Sequence, residues 1–236
     1  MTNRLIELRI KIKTLGNPET AKTMLWFFKT GKGEYGEGDV FAGLKVPVQR
    51  KLAKEFRDLS LNDLKVLISS PVHEERLISL FILVDKYEKG DEIVKKKVFS
   101  FYMRNRKSVN NWDLVDLSAP KIIGKHLLNA EKSILFKLSE SKNLWERRIS
   151  ILSTYEFIRN EKYDTTLKIA RKLLSDKHDL IHKAVGWMLR EVGKKNLSVE
   201  EKFLKSNYKK MPRTMLRYAI EKFPERKRKS YLLGKI

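Results

Sequence analysis

The chain has 236 residues, 42% of them hydrophobic, no cysteine, and 51 Lys+Arg against 29 Asp+Glu, a formal net charge of +22. The apolar content supports a substantial core and argues against disorder, while the lack of cysteine excludes disulfides and thiolate metal sites. So large a positive excess repels itself and makes physical sense beside a polyanion, with nucleic acid the leading candidate and an anionic membrane surface second.

The first sixteen residues, MTNRLIELRIKIKTLG, alternate charge and hydrophobe and carry neither a signal-peptide core nor a cleavage site. The longest apolar run, Leu77 to Val84, is far too short to span a bilayer. No segment shows the basic face and Trp/Phe/Leu face of a membrane-surface helix. A soluble, cytoplasmic protein without a membrane partner is expected. The glycine-rich stretch Gly31–Gly38 invites comparison with a phosphate-binding loop, but it lacks a Gly-Lys-Ser/Thr ending and a preceding strand. It is predicted to be a flexible connection, with Pro47 in the first turn of the next helix.

After residue 50 only 5 of the 11 glycines remain, and apolar residues recur at three and four, as in Ile181, Ala184, Val185, Met188 and Leu189. Strand-like alternation with turn dipeptides is absent. An all-α protein of about a dozen helices is predicted. Four stretches align: RLISLFIL (76–83), NWDLVDLS (111–118), RRISILST (147–154) and KAVGWMLR (183–190), with starts 35, 36 and 36 residues apart. A degenerate fifth copy is RTMLRYAI (213–220). This period fits a helix pair with its turns and predicts a single domain over residues 1–236, a right-handed α-solenoid of HEAT-like repeats with a concave basic groove. A charged content of 34% suits such an elongated array.

Read as columns, the fourth position is Ser79, Leu114, Ser150 and Gly186, mostly small, as expected where helices approach closely. The second, fifth and sixth positions share one helix face. That face is apolar except for Trp112 and Asp116 in the second copy, Arg148 in the third and Trp187 in the fourth. A charge on such a face is costly unless it is paired or functional. One reading makes Asp116 and Arg148 a buried structural pair. The other places a carboxylate, a guanidinium and two indoles along one functional stripe. Asp113 is read as a cap or backbone acceptor. Of the four histidines, only His178 and His182 have a ligand-like spacing, and they are read as surface or packing residues, so no metal is expected. The basic run ERKRK (225–229) is read as a solvated face.

The stretches Trp112-Asp113-Leu114-Val115-Asp116, Trp145-Glu146-Arg147-Arg148 and Gly186-Trp187-Met188-Leu189-Arg190-Glu191 resemble, in order and spacing, the AlkD-like DNA alkylation repair family, HEAT-like-repeat DNA glycosylases. Residues 31–56 also look like that family's N-terminal region. The resemblance implies that Asp116 is the catalytic aspartate, that Trp112, Arg148 and Trp187 contact substrate and DNA, and that Phe27 or Phe28 matches a family aromatic. It further implies release of positively charged N3- or N7-alkylpurines from double-stranded DNA by a monomer without metal or cofactor. It also implies that the damaged base need not be fully extruded. The competing expectation is a non-enzymatic HEAT-repeat scaffold that binds nucleic acid, and a third is a protein-interaction solenoid, against which the net charge argues.

Overall fold

The computed structural model describes residues 2–236. Among them the secondary structure is helical throughout, sixteen α-helical segments joined by short 3-10 turns and one π-helical turn at Pro120–Gly124. The sole β feature among the described residues is an isolated bridge between Val40 and Val72. The all-α expectation holds, and the architecture is consistent with an α-solenoid of helical repeats. The chain divides into two compact units, one ending at Ser118 and the other running from Ala119 to Ile236.

In the first unit the helices are Asn3–Leu15, Pro18–Phe27, Val46–Glu55, Leu61–Ile68, His73–Lys89, Glu92–Asn105 and Trp112–Ala119, whose last residue enters the second unit. Helix starts carry side-chain caps where the sequence supplies them. Asn17 accepts from the Thr20 amide ahead of Pro18, and Ser60 and Asp63 form a reciprocal capping box. Pro47 lies in the first turn of Val46–Glu55, as expected. The centre of this unit is helix His73–Lys89, which packs against Val46–Glu55, Leu61–Ile68 and Glu92–Asn105. Its residues from His73 to Val84 are all buried, and truncating any of its buried Leu or Ile side chains to Ala is expected to cost about 2–5 kcal/mol.

The second unit contains Lys125–Leu127, Ser133–Ser139, Leu144–Ser153, Tyr155–Arg159, Asp164–Lys172, Asp179–Lys195, Leu197–Asn207, Arg213–Ala219 and Glu225–Leu232. Here Asp179–Lys195 is central, touching Leu144–Ser153, Leu197–Asn207 and Arg213–Ala219.

Each of the five aligned sequence stretches falls on one helix of its own, save for the end residues Asn111, Thr154 and Ile220, which lie just outside theirs. The small fourth column has the predicted cause. Ser79 Oγ donates to the Leu64 carbonyl of a neighbouring helix at 3.1 Å. A Cβ on Gly186 would lie 2.4 Å from the Met215 carbonyl oxygen and 2.5 Å from Tyr218 Cβ. The first column repeats a contact that the sequence did not announce. Arg76 Nη1 donates to the carbonyls of Ser70 and Pro71, and Arg147 Nη1 donates to those of Ser141 and Lys142. In both copies the arginine reaches back six and five residues to hold the turn that feeds its helix. Each also pairs with an aspartate, Asp39 for Arg76 and Asp176 for Arg147, both at 2.6 Å. The C-terminal run 225–229 is largely exposed, with Arg228 paired to Glu225 at 3.0 Å.

Candidate functional site

The face made by repeat positions two, five and six comprises Leu77, Leu80, Phe81, Trp112, Val115, Asp116, Arg148, Ile151, Leu152, Ala184, Trp187 and Met188. Nine of these twelve are buried, and the three that stay half-buried are Trp112, Asp116 and Trp187. A face that is core elsewhere therefore reaches the surface where the sequence placed its candidate residues. The fourth candidate, Arg148, is buried, 5% exposed.

Trp112 and Asp116 share the short helix Trp112–Ala119. Its first turn is held by side chains: Asn111 Oδ1 accepts from the Trp112 amide and Asp113 Oδ1 from the Leu114 amide, both at 2.8 Å. These bonds satisfy N–H groups that have no partner within the helix. Leu114, Val115, Ser118 and Ala119 are buried and anchor the helix in the core. Beneath it, the Tyr102 hydroxyl and Ser118 Oγ share a hydrogen bond at 3.0 Å. Burial lifts the Tyr102 phenol well above its ordinary range, and the negative charge of Asp116 adds to the rise.

Asp113 does more than cap. Its Oδ2 accepts from His73 Nε2 at 2.8 Å, while His73 Nδ1 donates to Asp39 Oδ2 at 3.2 Å. Asp39 also accepts from Arg76 Nη2 at 2.6 Å and from Asn111 Nδ2 at 3.2 Å. All five side chains are buried. Burial by itself would lower the His73 pKa, but the charge and hydrogen bond of Asp113 and the hydrogen bond of Asp39 overcome it and hold the imidazolium to about 9. Burial likewise opposes ionisation of Asp39, yet His73 and Arg76 keep its carboxyl below the usual range. The cluster thus places a histidinium between two aspartates, with the arginine on the far side of Asp39. It ties the segment at Asp39 to the starts of helices His73–Lys89 and Trp112–Ala119. Glu74 reinforces the same segment by accepting from the amides of Ala42, Gly43 and Leu44.

The histidine also belongs to a pile of rings. Phe41 stacks on His73 at 4.8 Å between centroids, Phe28 lies 4.9 Å from His73, and Trp112 stacks on Phe28 at 5.3 Å with an interplanar angle of 17°. Phe27 meets Trp112 edge-on at 5.9 Å. Each such pair is worth about 0.5–1.5 kcal/mol beyond its buried area. The plane of Trp112 is therefore set from below by Phe28, whose own place depends on His73. Of the two N-terminal aromatics singled out in the sequence, Phe28 is the buried support and Phe27 the one left 54% exposed.

In the second unit, Arg148 Nη1 donates to the Leu180 carbonyl at 2.5 Å, joining helix Leu144–Ser153 to the start of Asp179–Lys195. Trp187 Nε1 donates to Glu191 Oε1 at 3.1 Å, and its ring lies 6.1 Å from Tyr155 at 39°. Glu191 in turn pairs with Lys194 at 2.7 Å. The Trp187 indole is oriented by one carboxylate a turn away, with part of its surface open. His178 caps the helix start by accepting from the Leu180 amide, and His182 Nε2 donates to the Asp176 carbonyl, the packing roles expected of them.

The sequence profile of the DNA alkylation repair enzyme family matches residues 8–223. The chain belongs to that family. All four candidate residues and the whole His73 cluster fall inside the matched span. The fold is shared with a solved structure described as a predicted DNA alkylation repair enzyme from Enterococcus faecalis, with a TM-score of 0.69 and 19% identity over 89% of this chain and 97% of that one. No curated protein matches the sequence. Family membership carries a role in DNA repair and makes DNA the partner that answers the net charge of +22. Within this family member, the residues that sequence reasoning missed are His73, Asp39 and Phe41, which position Trp112 and its helix.

Proposed function

We propose that this DNA alkylation repair protein is a glycosylase that hydrolyses the N-glycosidic bond of positively charged N3- or N7-alkylpurines in double-stranded DNA. The observation that carries the reading is the helix Trp112–Ala119, fixed at its first turn and under its tryptophan, yet leaving Trp112 and Asp116 partly open on one face. An alkylated purine of this kind carries a formal positive charge, so the base departs neutral and needs no protonation. What remains is the oxocarbenium-like sugar, the same problem met in glycoside hydrolysis. A carboxylate fixed beside it stabilises the developing charge and orients the attacking water. Asp116 takes both roles. Trp112 offers its π face to the sugar and the cationic base, worth about 1–2 kcal/mol when desolvated. Arg148 and Trp187 enter the proposal as DNA-contacting residues of the second unit.

The test is single-turnover release of free base from a methylated duplex by purified protein with chelator present, comparing wild type with Asp116→Asn. Asn keeps the shape of the side chain and removes the charge. Loss of an electrostatic stabiliser of this type is expected to slow release about 10²–10³-fold, with DNA affinity and melting temperature near wild type. Normal release by the variant would remove Asp116 from the chemistry. No release by the wild type would favour a binding scaffold that uses the same surface without cleaving.

A further inference from the structure

Helix Pro18–Phe27 buries none of its residues. At its C-terminal end Leu25, Trp26 and Phe27 are all exposed, Trp26 to 81%. An indole offers one of the largest apolar surfaces of any side chain, so leaving one this open in the free protein marks a contact surface. With Lys22, Lys29, Thr30, Gly31 and Glu34, these three residues line a concavity of about 680 Å³.

The wall of that concavity is fixed. The helix ends in a Schellman arrangement, with the Thr30 amide bonded to the Leu25 carbonyl at 3.2 Å and the Lys29 amide to the Trp26 carbonyl at 3.2 Å. The position that favours glycine in this motif is occupied by Lys29, at φ 52°. A lysine there bears a backbone cost of about 1–2 kcal/mol, and strain of this kind gathers at working positions. It places a cation at the end of the helix, beside the aromatic residues. Thr30 Oγ donates to the Leu25 carbonyl at 3.1 Å, and Glu34 is occupied by the Gly31 amide at 2.9 Å. Phe27 joins this surface to Trp112 through the edge contact already described.

We propose that Trp26, with Leu25 and Phe27, is a stacking platform for one unpaired nucleobase of a DNA strand, with the adjoining phosphate against Lys22 and Lys29. The proposal rests on the DNA-binding part of the reading above and is independent of the cleavage step. An indole meets the face of a base only where that base has left the duplex stack, because paired bases present edges and phosphates alone. Aromatic faces interleaved with lysines are the usual means of holding single bases without regard to sequence. A lipid surface fits less well, since the Glu34 carboxylate and the Gly31 backbone it is bonded to, both polar, line the same concavity.

The test measures affinity for three probes by fluorescence anisotropy and vesicle sedimentation: a fully paired unmodified duplex, the same duplex with a single-base bulge, and phosphatidylglycerol vesicles. Wild type is expected to prefer the bulged duplex by about 5–100-fold, the worth of one base–aromatic stack. Trp26→Ala should erase the preference while leaving affinity for the paired duplex unchanged, and Trp26→Phe should retain part of it. At 81% exposure the substitutions do not threaten folding. Equal wild-type affinity for the two duplexes, a preference that survives Trp26→Ala, or vesicle binding lost in Trp26→Ala would each overturn the platform. Absence of binding to any DNA would instead bring down the reading on which it rests, and absence of glycosylase activity would leave it standing.

Discussion

Raising the pH should loosen the first unit through a single proton. His73 is held to about 9 in the fold, against an ordinary value of 6.5. A group whose pKa is raised on folding contributes stability that is fully present below its unfolded value and is lost as pH climbs through the folded one. The window is therefore from 6.5 to about 9, and the difference amounts to about 3 kcal/mol. The structure also says where the loss falls. Asp39 keeps Arg76 and Asn111 as donors when the imidazolium deprotonates, whereas Asp113 keeps only the Leu114 amide on its other oxygen. The remaining imidazole proton should then stay on Nε2, facing Asp113. Glu200 complicates the measurement, because burial raises its carboxyl to about 8 and its ionisation destabilises in the same direction. The assay is urea unfolding from pH 6 to 10 in a Glu200→Gln background, with and without His73→Gln. The midpoint of the His73 protein should fall across this window while that of the His73→Gln protein changes much less. Parallel curves for the two proteins would refute the assignment of the charge to His73.

Two further outcomes follow from the same geometry and from the charge balance. Asp113→Asn breaks a buried ion pair and should cost about 3 kcal/mol, roughly 6–12 °C in melting temperature for a chain of this size, a loss that Asp116→Asn should not show. DNA binding should weaken steeply with salt, by about 10³–10⁵-fold between 50 and 200 mM if six to ten phosphates are contacted. A flat titration would remove the electrostatic basis of binding.

The repeat was legible because a helix array writes its period into the chain. Small residues recur at Ser79, Ser150 and Gly186 where neighbours press close, and apolar columns recur where faces are buried. Asp116 was legible for the same reason, as a charge in a column of Phe81, Leu152 and Met188. His73 was not. Its partners lie 34 and 40 residues away, at Asp39 and Asp113, and they follow no column of the alignment. Metal-ligand spacing is the pattern by which histidines stand out in a sequence, and an imidazolium held by two distant carboxylates leaves no such pattern. Its neighbour Arg76 was visible only as the first letter of a repeat unit. A comparison of Arg76 with Arg147, each the first residue of its repeat unit, holds the signal that both hook a preceding turn. The stretch Gly31–Gly38 is predicted from sequence to be a flexible connection, yet Glu34 and Glu37 bond the amides of Gly31 and Gly33, and Glu74 binds three amides further on. Glycine and charge in sequence do not distinguish a tether from a loop pinned by carboxylates.

On the function proposed above, the two aspartates of helix Trp112–Ala119 divide between structure and chemistry. They lie three residues apart on one short helix, and both are acids in a strongly basic protein. Asp113 is buried, spends its two oxygens on the Leu114 amide and His73, and so fixes the start of the helix. Asp116 stays half-buried, on the face that also carries Trp112. An electrostatic catalyst gains its advantage only if the charge is already in place when the transition state forms, so that nothing must reorganise at that moment. A helix of eight residues has little rigidity of its own. Here the rigidity comes from Asp113, from the ring pile under Trp112, and from Leu114 and Val115 in the core. On the function proposed above, the structural aspartate is thus a condition for the chemical one, and the ring of His73 is where the two requirements meet, bonded to Asp113 on one side and stacked towards Trp112 on the other.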